Sequence, residues 1–168
     1  MAEALKARLQ DDLKTAMKAG DTTRRDTIRL LISEVKKKEI DVHRDLEYAE
    51  ELQLLQQQAK QRKESIEQFE AAGRDDLVAK EQGQLEIIES YLPQQMTDDE
   101  LRDFIEDGVT KTDAKGPKDM GKLMGLLSKS TDGRVEGRRL ADEVKKRLTQ
   151  FATDPGPDPD KVGDATNL

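Results

Sequence analysis

The sequence contains no cysteine and no tryptophan, and aromatic residues make up only 3% of its 168 residues. Without cysteine the chain can form no disulfide, has no thiol nucleophile and cannot bind zinc or iron–sulfur clusters through thiolates. Its single histidine, His43, leaves carboxylates as the other candidate metal ligands, and no loop has the spacing of a calcium site. We therefore expect neither a metal nor a cofactor.

Long hydrophobic runs are also missing from the chain. No stretch of 18 consecutive apolar residues is present that could span a membrane as a helix. Residues 1–6 lead directly into a charged amphipathic segment and lack the apolar core of a signal peptide. We therefore expect no membrane association and a cytoplasmic location.

Apolar residues recur at spacings of three and four along nearly the whole chain, a pattern typical of amphipathic helices. Charged residues make up 39% of the sequence, and this composition suits thin helical cores better than a β-sandwich or barrel. We therefore predict an all-α protein. Its predicted parts are an N-terminal four-helix domain (1–92), a small three-helix domain (97–151) and a disordered acidic tail (152–168) with three prolines and four carboxylates.

Local signals predict where several of these helices begin and end. Asp21 can cap the second helix, and Gly73 can close the third one in the left-handed conformation. Pro93 stops the fourth helix, because proline lacks the N–H group that a helix interior needs. Thr97 and Glu100 have the spacing of a capping box, which predicts that the second domain begins with a helix there.

Residues 118–125 read Lys-Asp-Met-Gly-Lys-Leu-Met-Gly and combine an apolar helix face with two glycines one turn apart. A glycine in a helix interior costs up to about 1 kcal/mol relative to alanine. We therefore interpret these glycines as points where a second backbone comes close, either that of a packed helix in a thin core or that of a nucleic acid. The residues assigned to helix packing or close approach are Met120, Gly121, Met124, Gly125, Gly133 and Gly137.

Charge is distributed unevenly along the chain. The net charge is −7, yet residues 114–150 carry ten basic and five acidic side chains. Helix N-termini attract phosphate through free N–H groups, and the glycines of this region would let a sugar-phosphate backbone approach. Exposed charge is usually ordinary solvated surface, so that plainer interpretation stays open. The candidate RNA-binding residues are Lys115, Lys118, Lys122, Lys129, Arg134, Arg138 and Arg139.

Basic residues also group on the second and third predicted helices, where they could line a phosphate groove. They are interleaved with glutamates, which favours ordinary ion pairs within each helix. The groups comprise Arg24, Arg25, Arg29, Lys36, Lys37 and Lys38 on the second helix and Lys60, Arg62 and Lys63 on the third.

Catalytic motifs are weak throughout the sequence. Residues 116–122 fit most of a P-loop, but Leu123 replaces the hydroxyl residue that binds magnesium, and no strand precedes Gly116. The serines lack the glycine-rich surroundings of a nucleophile. The paired carboxylates fit helix N-termini and exposed faces, where the macrodipole and solvation explain them. We therefore predict no catalytic residue.

Short motifs between Lys60 and Arg138 form a specific combination, although each is weak alone, and the resemblance that they carry covers about Leu5 to Phe151. They are Lys60–Lys63, Ser65–Glu67, Phe69, Ala72–Arg74, Asp76–Leu77, Glu89, Tyr91–Gln94, Met96, Asp119–Lys122, Met124–Gly125, Gly133–Arg134 and Gly137–Arg138. In this combination the chain resembles the YqeY-like proteins. Their C-terminal unit is similar to the tail of the GatB subunit of glutamyl-tRNA(Gln)/aspartyl-tRNA(Asn) amidotransferase.

The resemblance implies a helical N-terminal domain, a three-helix domain and a link to the glutamine-dependent amidation of mischarged tRNA, a carbon–nitrogen ligase reaction. In GatB the matching tail is associated with holding tRNA. The kinase-like catalytic portion of GatB and the glycine- and serine-rich signature of its partner amidase have no counterpart in this sequence. The resemblance thus implies a tRNA-binding accessory module without a catalytic centre of its own.

The partners implied in this way are tRNA and amidotransferase or aminoacyl-tRNA synthetase proteins. The residues leave a second hypothesis open, in which the chain is a helical protein–protein interaction module with no RNA role. Its docking surface would be the apolar face between Met120 and Leu127, since methionine-rich helix faces adapt well to a partner helix.

Overall fold

The computed structural model describes residues 3–153, and within this range it consists of helices and turns without a strand. The predicted all-α class is therefore confirmed. Residues 152 and 153 continue the last helix, and the rest of the predicted acidic tail lies outside the described residues. The helices are α1 (Leu5–Ala19), α2 (Thr22–Val42), α3 (Tyr48–Ala71), α4 (Asp75–Ser90), α5 (Asp98–Thr112), α6 (Met120–Leu127) and α7 (Gly137–Thr153), with a 3₁₀ helix at Pro117–Asp119 directly before α6.

The chain divides into two compact units. The first contains the residues up to Gln95 together with the short loop Asp132–Arg134, and the second contains Met96–Thr131 and the described residues from Val135 onward. The sequence analysis treated 97–151 as one continuous stretch, whereas this loop groups with the first unit because its contacts are made there.

Four long helices build the first unit around one apolar core. α1 packs against α2, and α4 packs against both α2 and α3. Leu9, Ile28, Leu31 and Ile88 are completely buried in this core. Burying one such side chain contributes roughly 1.5–3 kcal/mol, so the apolar stripes of these helices account for the packing of the unit.

The local predictions of helix ends are confirmed. Asp21 Oδ1 accepts a hydrogen bond from the backbone N–H of Arg24 at 3.0 Å. Thr97 Oγ1 accepts from the N–H of Glu100 at 3.2 Å, while the Glu100 carboxylate accepts from the N–H of Thr97 at 2.9 Å. Gly73 follows α3 with a φ of +67°. These bonds connect neighbours in the chain, which is why a short sequence window contains the whole signal.

The start of α3 depends on a second capping box, which the sequence analysis missed. The Glu50 carboxylate accepts a hydrogen bond from the N–H of Glu47 at 2.9 Å. Arg44 donates two further bonds to the same carboxylate, at 2.7 and 3.0 Å. Hydrogen bonding from Arg44, followed by that from the Glu47 backbone, lowers the pKa of Glu50 to about 2. The capping residue, Glu47, is a glutamate, whereas serine or threonine is usual at this position. The spacing of Glu47 and Glu50 was therefore not recognised as a capping box.

The second unit is a three-helix assembly in which α6 packs against both α5 and α7. Leu123 and Leu127 of α6 are 0% and 2% exposed. They belong to one apolar cluster with Leu101 and Ile105 of α5 and Val144 of α7. The shortest α-helix of the chain thus contributes fully buried side chains to this core.

A glycine in α5 makes this packing possible. A Cβ atom on Gly108 would lie 2.5 Å from Leu127 Cδ2 and 3.0 Å from Leu123 Cδ1. The sequence analysis missed Gly108, although it follows Ile105 by three residues and therefore lies on the apolar face of its helix. The signal in the sequence that could have identified Gly108 was its position on the core-facing side of the predicted helix.

The glycines singled out for close packing need correction. A Cβ atom on Gly121, Gly125 or Gly137 would meet no described atom within 4 Å beyond its chain neighbours and its own helix. The reason is that α6 turns Leu123 and Leu127, on its opposite side, towards the core. Of the two interpretations of Gly121 and Gly125, the packed helix in a thin core is therefore wrong, and Gly108 is the glycine against which the core of the second unit packs.

Replacing Gly108 by alanine should destabilise the second unit by about 1–2 kcal/mol, because the overpacking at Leu127 exceeds the gain in helix propensity. Gly125→Ala is the matched control, since its Cβ atom would enter open space. It should stabilise the unit by up to about 1 kcal/mol. Urea unfolding followed by circular dichroism measures both changes, and effects of the same sign would contradict the packing described at Gly108.

Replacing Glu50 by glutamine should lower the melting temperature most above about pH 4.5, where the ionised carboxylate caps α3 in the wild type. The pKa of Glu50 is lower in the folded state than its ordinary value of 4.5, so its stabilising effect is lost as the pH falls towards about 2. The difference in melting temperature between wild type and Glu50→Gln should therefore shrink over that range. A difference that stays constant from pH 7 to pH 2 would rule out this role.

Candidate nucleic-acid interface

One side of α6 faces outward because Leu123 and Leu127 occupy the opposite side. The outward residues recur at spacings of three and four, which places them on a single helix face. All of them are exposed, and the two glycines leave the backbone uncovered. This α6 face comprises Gly121, Lys122, Gly125 and Leu126, with Lys129 just beyond the end of the helix.

Four of the seven candidate cations are exposed and free. Lys118 lies in the 3₁₀ helix, Lys122 in the first turn of α6, Lys129 after its end and Arg138 in the first turn of α7. Among residues 3–153 none of the four finds an ion-pair partner. Their charge is therefore available to an external anion, and α7, which carries Arg138, packs against α6.

Two other candidates are engaged within the second unit. Lys115 Nζ lies 3.4 Å from an oxygen of Asp113, in a pair so exposed that it contributes little to stability. Arg139 donates hydrogen bonds to the backbone oxygen of Met96 at 2.8 Å and to the Asp98 carboxylate at 2.7 Å. Arg139 thus links α7 to the start of α5 and is no longer a free cation.

The remaining candidate, Arg134, groups with the first unit. Its Nε donates to the backbone oxygen of Gln94 at 3.0 Å, and the side chain of Gln95 donates to the Gly133 oxygen at 3.0 Å. Gly133 has a φ of +74°, and a Cβ atom there would lie 3.0 Å from Leu52. Both residues of this loop therefore hold its position in the first unit, and neither is part of the α6 face.

The methionine-rich side of α6 lies in the core of its own unit. Leu123 and Leu127 are buried, and Met120 and Met124 are half-buried against the same cluster. The hypothesis that this side docks a partner helix is corrected, because its apolar atoms already contact α5 and α7 residues.

A groove of about 400 Å³ between α5 and α7 is the other notable concavity of the second unit. Its floor is formed by Leu101 and Ile105, and its rims carry charges of both signs. An ion pair between Arg147 and Glu106 joins the rims, and the Arg147 guanidinium also lies 4.1 Å from the ring centre of Phe151. Arg147 is doubly engaged, and the other two cations that line the groove, Arg102 and Lys146, are paired with Asp99 and Glu143. The lining of the groove therefore presents no free cation comparable to those around α6.

The described part of the chain contains neither a cluster of metal ligands nor a membrane-spanning helix. Between residues 3 and 153, no three or more acidic or histidine side chains come close enough to one another to hold a metal ion. No helix in this range is both long and apolar enough to cross a bilayer.

The fold and the site define a helical protein of two small units, the second of which exposes unpaired basic side chains beside bare glycine backbone. The profile of one family, described as Yqey-like protein, matches residues 6–148, and the chain belongs to this family. The resemblance inferred from the combined motifs is therefore confirmed.

Three relatives share one printed name, "Altered inheritance of mitochondria protein 41, mitochondrial". The protein of Saccharomyces cerevisiae (strain ATCC 204508 / S288c) is 36% identical over 152 residues, which cover 88% of this chain and 75% of the relative. That of Lachancea thermotolerans is 46% identical over 89 residues, covering 52% of this chain and 48% of the relative. That of Eremothecium gossypii is 42% identical over 87 residues, covering 51% and 48%.

These relatives correct the expected location. A cytoplasmic protein was expected because residues 1–6 lack the apolar core of a signal peptide and no stretch of 18 consecutive apolar residues is present. The yeast relative that matches 88% of this chain is named as a mitochondrial protein, which overturns that expectation.

Replacing Gly133 by alanine should destabilise the first unit by about 2 kcal/mol or more. Alanine is strained at positive φ, at a cost of about 1–2 kcal/mol, and its Cβ atom would also press on Leu52. Gly73→Ala is the matched control, because Gly73 has nearly the same φ but open space around it. Thermal unfolding of both variants separates the two causes, and equal losses of stability would exclude a contribution from Leu52.

Proposed function

We propose that the second unit binds folded RNA, and tRNA in the first place, through the α6 face and the cations beside it. In this proposal the chain is an accessory module in the glutamine-dependent amidation of mischarged tRNA and has no catalytic centre of its own. The observation that carries the proposal is the set of four exposed cations without an ion-pair partner among the described residues: Lys118, Lys122, Lys129 and Arg138.

The chemistry of this surface suits a phosphate backbone. Lysine and arginine that neutralise phosphates release condensed counterions, and this release supplies most of the affinity of sequence-independent binding. Gly121 and Gly125 leave room for a sugar-phosphate chain to come close to α6. Residues 96–153 contain no tryptophan, tyrosine or histidine, so bases have few rings to stack on. The proposed mode of recognition is therefore by backbone and shape.

The link to amidation is supported by the resemblance to the YqeY-like proteins, whose C-terminal unit is similar to the GatB tail. In this chain Asp119–Lys122, Met124–Gly125 and Gly137–Arg138 are among the motifs that carry this resemblance. Three of the proposed RNA contacts lie in or next to these motifs: Lys118, Lys122 and Arg138. The proposed protein partners are subunits of an amidotransferase or an aminoacyl-tRNA synthetase, which would receive the bound tRNA. The ligase chemistry itself is assigned to those partners and not to this chain.

Reversing the charges of Lys122 and Arg138 should weaken tRNA binding by at least about tenfold and reduce the slope of log affinity against log salt by about one to two. The physical reason is the loss of two phosphate contacts. Filter binding of the full chain to total tRNA at several salt concentrations measures both quantities.

The matched control is Lys111→Glu with Lys146→Glu, which reverses two exposed lysines already paired with Asp107 and Glu143. It changes the net charge by the same amount and should leave affinity within about twofold, because both lysines lie outside the proposed contact residues and a neighbouring carboxylate already balances each charge. Equal losses in both double variants would mean that net charge alone drives binding. A chain that captures proteins but no RNA would favour the protein-interaction hypothesis instead.

A further inference from the structure

The outward side of α2, in the first unit, carries a line of basic residues. Ile28, Leu31 and Val35 bury the opposite side of this helix in the core. Arg25, Arg29 and Lys36 follow one another at spacings of four and seven, so they lie on one helix face over about 16 Å. We call these three residues the α2 stripe.

Two members of the stripe have free charge. Arg29 and Lys36 are exposed, and the described residues offer neither of them an ion-pair partner. Arg25 pairs with its chain neighbour Asp26 at 2.8 Å. The hydrogen bond from Arg25 lowers the pKa of Asp26, and the charges of Arg29 and of Lys80 on α4 lower it further. Three cations from two packed helices therefore favour the ionised form of a single exposed carboxylate.

The first unit as a whole is acidic. Residues 1–95 carry 20 acidic and 16 basic side chains. Lys14 and Lys18 of α1 also have no ion-pair partner among the described residues, whereas Lys6 pairs with Glu39 and Arg62 pairs with Glu81 between helices. Pairs within one helix, as the interleaved glutamates predict, join Lys37 to Glu34 and Lys60 to Glu64. For Arg29 and Lys36 that prediction is wrong. They form a positive surface on a unit whose net charge is negative.

We propose that the α2 stripe is a second RNA-contact surface, so that the first unit takes part in RNA binding alongside the α6 face. The identity of the ligand rests on the proposed function, whereas the stripe itself rests on the charges of α2. Because both units belong to one chain, RNA held by one unit is present at a raised effective concentration near the other. At this raised concentration, even weak contacts between the stripe and the RNA increase the overall affinity of the chain for RNA.

A phosphate-rich membrane surface fits the stripe less well than RNA does. A helix that binds a bilayer inserts an apolar face between the headgroups, and the apolar face of α2 is buried in the core. Ile40, 70% exposed, is the one large apolar side chain that α2 exposes along its fully described length. Binding through α2 is therefore expected to be electrostatic and directed at phosphates along a chain.

The test uses the full chain in which the charges of the two unpaired stripe residues are reversed, Arg29→Glu with Lys36→Glu. The probe is a fluorescein-labelled tRNA transcript, and anisotropy is measured from 50 to 300 mM salt, a range chosen to give the slope of log affinity against log salt. The expected result is a loss of affinity of about tenfold and a slope reduced by about one to two. Circular dichroism checks that the helices remain folded.

The charge-matched control within the first unit is Lys60→Glu with Arg74→Glu, both exposed and both paired in the wild type. It should leave the affinity and the slope nearly unchanged. If the stripe variant behaves like this control while Lys122→Glu with Arg138→Glu loses binding, the stripe proposal is overturned and the proposed function stands. If the stripe variant alone loses binding, the stripe stands and the α6 assignment falls.

A second experiment, with lipid vesicles, distinguishes RNA from lipid as the source of the phosphate groups that the stripe binds. Sedimentation with vesicles containing about one-third phosphatidylserine should show weak binding that is equal for the wild type and the stripe variant. Vesicle binding that is strong and lost in the stripe variant, with tRNA affinity unchanged, would overturn the assignment to RNA.

Discussion

The burial of one side of α6 against Gly108 is the interaction on which the second unit depends. Isolated helices shorter than about 12–15 residues are marginal in water, and α6 has eight residues. It is stabilised because Leu123 and Leu127 enter the core beside a position in α5 that has no side chain. The same contact decides the orientation of the helix, since the residues opposite the two leucines must face outward.

The basic residues of this protein have two different roles, and the difference has a physical basis. An exposed ion pair contributes about 0–1 kcal/mol, so leaving a surface lysine or arginine unpaired costs the fold very little. Arg139 and Arg134 are hydrogen-bonded to backbone oxygens and hold local structure. Lys118, Lys122, Lys129 and Arg138 have no such task among the described residues, which leaves their charge for a ligand.

Family membership and function rest on separate observations in this protein. The match over residues 6–148 and the similarity to the yeast proteins identify the family. They do not state a reaction, and a fold alone does not imply one. The proposed RNA binding rests on exposed cations, uncovered helix backbone and a second unit poor in aromatic rings. The expected location was wrong and the inferred family was right, because the location rested on few features of the sequence whereas the family rested on many positions.

The sequence by itself determined the helices, several of their ends and the family. Helical periodicity, the caps at Asp21 and Thr97 and the left-handed Gly73 involve neighbouring residues, so a short window of sequence holds all the interacting groups. Only the tertiary structure decided which glycine is packed and which cations are free. Gly108 is near Leu127, and Arg139 is near Met96, through contacts between residues far apart in the chain. Such contacts depend on how helices turn their faces towards one another, and that rotation is set by burial in a shared core and not by local spacing.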